Sequence, residues 1–319
     1  MVKAPGNHSR EKPIVLGAAG AAFLSVLALV LPDYWTQLLT RVLIMALFAT
    51  SINVQVGLCG MLPLGHSMFL GLGAYSFGLL LTKGSLPLPL AFPLSLAVGL
   101  AASIIIGYLC LRGKPMTFGL LNLGFNILLS TLIDKWISFT GGDAGIMGVV
   151  RPYPFVHTLC FFYFVLMAVG LSYLLLRIMI DSPFAKIATG LRENEERLRF
   201  LGINIRRFQL AVFVVSGFFA VVSGILLAML DRGVFPAYIS LTRSAEGLMM
   251  CLIGGMFSFL GPSLGAVIVV IIGTVSSNYV SQWQGLLGLI IIVCVIGFQG
   301  GILRKKGGRL RPSSEGAGK

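Results

Sequence analysis

Apolar stretches about as long as one bilayer crossing recur along almost the whole chain. A helix needs roughly 20 mostly apolar residues to cross the hydrocarbon core of a membrane. Stretches of about this length lie at approximately 14–31, 38–57, 64–82, 88–111, 116–138, 155–178, 208–230, 244–259, 263–281 and 284–303. The pattern predicts an all-α polytopic integral membrane protein with about 8–10 transmembrane helices. The stretches at 64–82 and 244–259 are Gly-rich or short, so either can be re-entrant.

The composition places the chain in a bilayer and gives no sign of an enzyme. Of its 319 residues, 56% are hydrophobic and 11% are charged, whereas soluble domains carry about 25% charged residues. The stretch at 107–115 approaches a P-loop but has one residue too many, with Pro115 where Ser or Thr must hold magnesium. No H-E-x-x-H motif occurs, and no acidic residue at metal-ligand spacing accompanies His66. The sequence predicts no catalytic residue, no metal site and no cofactor.

Lysine and arginine concentrate in the segments that the predicted spans place on one side of the membrane. Most of these residues lie in the N-terminal segment, at 112–114, in the loop at 177–209 and in the C-terminal tail. Because cytoplasmic loops keep an excess of Lys and Arg, both termini are predicted to be cytoplasmic. The chain then divides into a cytoplasmic tail at 1–13, one transmembrane domain at 14–303 and a basic cytoplasmic tail at 304–319. The net charge of +13 follows from this topology and favours contact with anionic membrane lipid, whereas nucleic acid binding is not predicted.

One long charged segment, 177–209, separates two apolar stretches and must lie in water. Ser182 suits a helix N-cap and Pro183 the first helical position, while Gly202 suits the left-handed residue that ends a helix. Three leucines can share one face of this helix: Leu191, Leu198 and Leu201. The segment predicts one short amphipathic helix on the cytoplasmic side. Two interpretations stay open: a solvated loop helix, and a docking element for a soluble partner.

Glycine and proline interrupt two of the apolar stretches, one in each half of the chain. The first interruption spans 57–67 and is followed by Gly71 and Gly73, and the second spans 254–266. These residues are tolerated in a membrane helix where the freed backbone groups find protein or water partners, and paired interruptions indicate a transport pathway. Close packing of neighbouring helices against the glycines explains them equally well, so both interpretations stay open.

Two of the ionisable side chains inside predicted spans, those of Glu246 and His66, are candidates for a function within the membrane. Glu246 occupies a position where an unpaired charge costs about 2.5–3.5 kcal/mol. It either has a function within the membrane or lies near the outer interface, where Arg243 can neutralise it. His66 lies beside the first interruption and is either a hydrogen-bonded structural residue or a substrate or proton site.

Four segments combine glycine with polar residues in a specific order: 57–75, 140–146, 191–204 and 244–262. Together they resemble the permeases of branched-chain amino acid ABC transporters. The similarity covers approximately residues 40–303 and is greatest to the longer of that family's two permease types.

The resemblance implies a transmembrane permease subunit of an ABC importer in the inner membrane of a bacterial cell. It implies alternating access driven by separate ATPase subunits, with a second permease subunit as a heterodimer partner and an extracytoplasmic solute-binding protein. The loop at 179–207 would couple the permease to the ATPase. The residues implied for this coupling are Arg192, Glu193, Glu195, Glu196 and Gly202.

The resemblance also implies a pathway for a small polar solute, first of all branched-chain or related amino acids. The positions implied for it are Asn53, Gly65, His66, Ser67, Asn122, Asn126, Gly254 and Gly255. The chain departs from the family's pattern at several positions that would select the solute or end the last span: Met61, Pro63, Asn122, Asn126 and Gln299. The alternative function is a self-sufficient channel or an ion-coupled secondary transporter for a solute such as urea.

Overall fold

The computed structural model describes residues 24–113, 115–151 and 155–279, with the single positions 20 and 285. The predicted tails, almost all of the predicted span at 284–303 and half of the span at 14–31 lie outside these residues. The orientation of the termini and the division into two tails and one domain therefore stay predictions.

Helices form almost all of the secondary structure in the described ranges. The α-helices are α1 (Asp33–Asn53), α2 (Ser67–Thr82), α3 (Leu88–Cys110), α4 (Pro115–Lys135), α5 (Ile137–Thr140), α6 (Thr158–Asp181), α7 (Pro183–Glu193), α8 (Glu195–Phe200), α9 (Ile205–Asp231), α10 (Leu241–Gly254) and α11 (Gly261–Tyr279). A π-helix, Val54–Cys59, directly continues α1, and 3-10 turns lie at Gly142–Ala144 and Pro236–Tyr238.

Among the described residues, five helical segments are long and apolar enough to cross a membrane: Asp33–Cys59, Leu88–Cys110, Thr117–Lys135, Thr158–Asp181 and Ile205–Asp231. The two stretches that were predicted as weak spans became α2, with 16 residues, and α10, with 14 residues. At about 1.5 Å per residue these two helices rise roughly 24 and 21 Å, which is less than the hydrocarbon thickness of about 30 Å. The prediction of an all-α polytopic membrane protein is confirmed.

The helices α1 and α9 occupy the interior of the bundle, and α3, α4 and α6 form its outer wall. Most residues of α1 and α9 are buried, whereas the wall helices expose large apolar side chains such as Ile105, Leu120 and Met167. Because lipid tails are as apolar as leucine, these exposed faces suit contact with lipid or with another transmembrane surface.

The loop between α5 and α6 is fastened to the end of α9. Its strand β1 (Ile146–Met147) pairs antiparallel with β2 (Gly233–Val234), which follows α9. Arg151 donates hydrogen bonds from Nε and Nη2 to the carbonyl oxygens of Met229 and Leu230, each at 2.6 Å. A cation at this end of α9 satisfies carbonyls that have no partner within the helix. Burial lowers the pKa of Arg151 to about 10, so its guanidinium stays charged at neutral pH.

The helices α2 and α9 pack so closely that their contact needs glycine on both sides. A Cβ atom at Gly73 would lie 2.4 Å from a backbone oxygen of α9, and one at Gly224 would lie 1.9 Å from the carbonyl oxygen of Leu70. The predicted close approach of a neighbouring helix is confirmed at Gly73. Gly71 instead faces the side chain of Ile239, which precedes α10.

Substituting Gly224 by Ala tests whether this contact determines stability. We expect Gly224→Ala to lower the free energy of unfolding by about 1–3 kcal/mol or more, because the added methyl group overlaps the backbone of α2. Gly170→Ala on α6 is the matched control, since a Cβ there meets no described residue within 4 Å. Thermal unfolding in detergent measures both variants, and equal midpoints would contradict the close contact.

Candidate functional site

The first interruption is a change of helix type followed by a break. α1 widens into the π-helix Val54–Cys59 and ends at Gly60, whose φ is +71°. The next helix, α2, begins only at Ser67. π-helical turns are rare and occur frequently at functional sites, so this end of α1 is a candidate functional site.

The second interruption contacts the first. α10 ends at Gly254, Gly255 has a φ of +110°, and α11 begins at Gly261. Asn53 Nδ2 donates a hydrogen bond to the carbonyl oxygen of Ser258 at 3.4 Å. A Cβ atom at Gly57 would lie 2.3 Å from the carbonyl oxygen of Met256. The two breaks, which the sequence places in opposite halves of the chain, therefore meet in space.

Arg192 of the charged loop joins both breaks. Its Nη1 donates a hydrogen bond to the carbonyl oxygen of Gly57, and its guanidinium lies 4.9 Å from the ring centre of Phe257. We call the group formed by Asn53, Gly57, Arg192, Phe257 and Ser258 the break junction. A cavity of about 270 Å³ adjoins it. One side chain of the loop thus holds the end of α1 and the segment between α10 and α11.

The predicted pathway residues at the start of α2 form a separate hydrogen-bonded group, which we call the α2 clamp. Asn122 Oδ1 accepts a hydrogen bond from the backbone N–H of Gly65 at 2.5 Å. Asn126 Nδ2 donates to the carbonyl oxygen of Gly65 at 3.3 Å and to Ser67 Oγ at 2.9 Å. Ser244 Oγ accepts from the backbone N–H of Ser67 at 2.9 Å and donates to Ser67 Oγ at 2.7 Å. The clamp therefore ties α2 to both α4 and α10.

His66 is fully buried beside the α2 clamp. Its Nε2 lies 3.1 Å from Ser51 Oγ and 3.4 Å from Ser216 Oγ, and its Nδ1 lies 3.4 Å from Gln55 Nε2. Both ring nitrogens thus have polar neighbours within the bundle. These contacts fit the interpretation of His66 as a hydrogen-bonded structural residue, and its place on a substrate pathway stays a prediction.

The pathway residues therefore fall into three groups. Asn53 belongs to the break junction, and the residues around Gly65 belong to the α2 clamp. Gly254 and Gly255 lie where α10 ends, and a Cβ at Gly254 would lie 1.7 Å from the carbonyl oxygen of Gly261. Close packing, one of the two interpretations of these glycines, is therefore present at both interruptions.

The charged loop contains two helices where one was predicted. Pro183 opens α7 at its first position, as predicted, but Ser182 Oγ donates to the carbonyl oxygen of Met179 and does not cap the helix. Asn194 is extended, with a φ of −162°, and its side chain accepts a hydrogen bond from the backbone N–H of Arg197 at 3.0 Å, which starts α8. Gly202 has the predicted left-handed conformation, with a φ of +76°.

The remaining coupling residues lie on the surface of this loop. Glu193 and Glu196 are exposed. Glu195 forms an ion pair with Arg199 at 2.9 Å. Among the residues predicted for coupling, Arg192 is thus the one that reaches the transmembrane helices in the described part of the chain.

An exposed apolar pair at the end of α8 was not predicted. Phe200 is 92% exposed and Leu201 is 71% exposed. The prediction that three leucines share one face of the loop helix is therefore wrong for Leu201, although Leu191 is buried and Leu198 packs against the core. α8 ends before Leu201, so this residue does not continue the helical face. Two adjacent apolar residues in a charged loop were the signal in the sequence.

Residues Gly261–Gly265 match the enzyme motif G-x-S-x-G, but packing between helices accounts for them. Ser263 Oγ lies 2.6 Å from the hydroxyl of Tyr173. A Cβ atom at Gly265 would lie 1.8 Å from the carbonyl oxygen of Met250 on α10. In the described ranges, no group of three or more His, Cys, Asp or Glu residues could hold a metal ion.

Two ion pairs lie at the other end of the bundle. Arg243 contacts Glu246 at 2.7 Å, which confirms the predicted neutralisation. Arg41 contacts Asp231 at 2.5 Å, a pair that the sequence pattern did not predict. Both pairs line a second cavity, of about 370 Å³.

A bundle of apolar helices, two of which are interrupted where they meet a charged loop, defines a polytopic membrane permease. Within that class, the chain belongs to the family described as the permease component of the branched-chain amino acid transport system, which matches residues 34–296. The chain is accordingly a transport permease and not an enzyme.

Two curated relatives are the high-affinity branched-chain amino acid transport system permease proteins LivM of Salmonella typhimurium and Escherichia coli. They are 28% and 27% identical to the chain in alignments 291 positions long, which cover 83% of this chain and 68% of each relative. No solved structure is significantly similar to the chain.

The α2 clamp makes a prediction about Ser67. We expect Ser67→Ala to lower the free energy of unfolding by about 1–3 kcal/mol, because Asn126 and Ser244 lose a buried hydrogen-bond partner. Ser76→Ala on the same helix is the control, since the hydrogen bonds that its hydroxyl makes in the described part of the chain go to backbone oxygens of α2, at 2.6 and 3.2 Å. Thermal unfolding in detergent compares them, and a Ser67 variant as stable as the Ser76 variant would refute the clamp.

Proposed function

We propose that the chain is the membrane-spanning subunit of an ABC importer that moves branched-chain or related amino acids into the cell. Alternating access would be driven by separate ATPase subunits. The observation that carries this proposal is the bridge from Arg192 to both helix breaks. The family of the chain supports this class of solute. Its two relatives are named as permeases of a high-affinity transport system for branched-chain amino acids, and we expect high-affinity transport here too.

The charged loop is the proposed coupling element, with 179–207 facing the cytoplasm. A displacement of α7 would carry Arg192 away from the Gly57 carbonyl or push the end of α1 with it. Packed helices have discrete alternative arrangements and do not deform continuously. An ATPase that binds one arrangement more tightly than the other shifts the population between them. The break junction is where such a shift would enter the transmembrane helices.

The exposed pair Phe200–Leu201 is the proposed contact with the ATPase. A phenylalanine and a leucine at the tip of a water-facing loop lose contact with water favourably when a partner covers them. The surrounding arginines and glutamates, including Arg197 and Glu196, supply a polar rim to the same contact. Gly202 then allows the chain to turn back toward α9.

The further subunits are an extracytoplasmic solute-binding protein and a second permease that forms a heterodimer with this chain. The exposed apolar faces of α3, α4 and α6 suit lipid and the second permease. The solute would pass between the two permeases, past the break junction and the α2 clamp. The assembly would reside in the inner membrane of a bacterial cell, with both termini of this chain in the cytoplasm.

Uptake by reconstituted proteoliposomes tests the proposal. We expect radiolabelled leucine to accumulate only when the chain, the second permease, the ATPase subunits, the solute-binding protein and ATP are all present. Labelled urea is the control solute. Uptake by the chain alone without ATP would favour a self-sufficient channel or secondary transporter and refute the importer. ATP-dependent uptake of urea in preference to leucine would refute the proposed class of solute.

The two parts of the loop are expected to fail in different ways. Phe200→Ser should lower ATPase binding by about tenfold or more, since it removes a large apolar contact, and Phe200→Leu should restore most of it. Arg192→Gln should leave ATPase binding intact while uptake per ATP hydrolysed falls, because its contacts point into the bundle. Pull-down and uptake assays measure both. Loss of binding in the Arg192 variant, or normal binding in Phe200→Ser, would contradict this division.

A further inference from the structure

The cavity at the opposite end of the bundle from the break junction is not explained by the proposed coupling or by the predicted pathway residues. It has a volume of about 370 Å³ and is lined by residues of α1, α9, α10 and α11. Small-molecule sites have volumes of about 300–1,000 Å³. Arg41 lies in its wall and precedes Gly57 by roughly 24 Å of helix rise. With the charged loop in the cytoplasm, this cavity is on the outer side.

The polar part of the cavity wall carries both signs of charge. Arg41 pairs with Asp231, and Arg243 pairs with Glu246. The hydroxyl of Tyr238 donates a hydrogen bond to the second carboxylate oxygen of Asp231, at 2.5 Å. Burial raises the pKa of Tyr238, and the Asp231 carboxylate raises it further, so the phenol stays a donor. Tyr238 thereby holds Asp231 at the edge of the cavity.

The two arginines keep hydrogen-bonding capacity for a ligand. The side chain of Arg41 is 46% exposed and that of Arg243 is 26% exposed. The Nε–H of Arg243 is buried, and no residue in the described ranges accepts a hydrogen bond from it. A buried donor without a partner is unfavourable, so a carboxylate that reached this guanidinium would give the donor its missing acceptor after a small rotation.

Most of the remaining wall is apolar, with Gln37 and Thr274 as further polar lining residues. The apolar part includes Leu38, Met45, Leu227, Met250 and Val269. Aliphatic and thioether side chains offer a surface that takes up a small aliphatic group, and methionine adapts to its shape. One cavity therefore combines an end that carries charges of both signs with a largely apolar wall.

We propose that this cavity binds the zwitterionic form of an aliphatic α-amino acid on its way into the permease. The carboxylate binds the guanidinium groups of Arg41 and Arg243, the ammonium group binds Asp231 and Glu246, and the aliphatic side chain lies along the apolar wall. The inference rests on the proposed function, because it names the place where the solute first contacts this subunit.

A zwitterion suits this wall better than a solute of one charge or none. When it enters between the ion pairs, each of the four charged side chains replaces its partner in the ion pair by the oppositely charged group of the ligand. No buried charge is therefore left without a partner. A carboxylate alone would compete with Asp231 and Glu246 without supplying a cation for them, and an amine would do the reverse. Urea carries no charge and leaves the apolar wall without a contact.

Binding of radiolabelled leucine to the intact permease–ATPase complex in nanodiscs, without the solute-binding protein, tests the site. We expect isoleucine to displace leucine. We expect little displacement by 4-methylpentanoate, which lacks the ammonium group, or by 3-methylbutylamine, which lacks the carboxylate. These competitors need no variant, so they decide the question even if a charge substitution prevents folding.

Two charge substitutions are the second arm of the test. We expect Arg41→Gln and Asp231→Asn each to weaken leucine binding by about tenfold or more, since each removes a hydrogen bond to a charged group. Lys83→Gln is the matched control, because it removes an exposed cation whose hydrogen bonds go to the carbonyl oxygens of Ser138 and Phe139, outside the cavity wall. Thermal unfolding of each complex separates loss of the site from loss of the fold.

The outcomes distinguish this inference from the proposed function. Leucine binding that is unchanged in both charge variants, or that either analogue displaces as well as isoleucine does, overturns the site. A complex that takes up leucine with its solute-binding protein but binds none in its absence overturns the site and leaves the proposed function standing. Charge-dependent leucine binding in a complex that takes up no leucine supports the site and refutes the importer.

Discussion

Backbone groups that leave a helix inside a membrane must find partners within the protein, and this constraint organises the structure. An unpartnered N–H or C=O group in hydrocarbon is strongly unfavourable. At the interruptions, side chains from other elements take these groups: Arg192 binds the carbonyl oxygen of Gly57, Asn122 binds the N–H of Gly65, and Asn53 binds the carbonyl oxygen of Ser258. The breaks are therefore also the places where distant helices are tied together.

These ties give α1 a particular position in the bundle. The π-helix that continues its C-terminal end is held by the charged loop through Arg192, and its N-terminal half carries Arg41, which pairs with Asp231 at the end of α9. A helix that is buried along most of its length transmits a displacement from one end to the other because its close-packed neighbours leave little room to absorb it. Coupling and the proposed solute cavity would in this way share one rigid element.

Local patterns in the sequence predicted the features that depend on a few adjacent residues. Pro183 at a helix start, Gly202 in a left-handed turn and the Arg243–Glu246 pair are all present. The split of the loop into α7 and α8 also had a local signal, since Asn194 precedes two glutamates and suits an N-cap. For Leu201 the local signal was its place in an apolar pair within a charged loop. That pair does not determine exposure, because exposure depends on where α8 ends and on how the chain turns toward α9.

The sequence by itself determined that this protein lies in a membrane. It also determined the helical class, most of the spans and the family. Hydropathy, charge and motif order decide these properties, and each can be summed along the chain without knowing which helices touch. Only the tertiary structure decided that Asn53 meets Ser258, 205 residues away, and that Arg41 meets Asp231, 190 residues away. Such contacts depend on which helices lie side by side and how closely their glycines let them approach, and no local pattern encodes that arrangement.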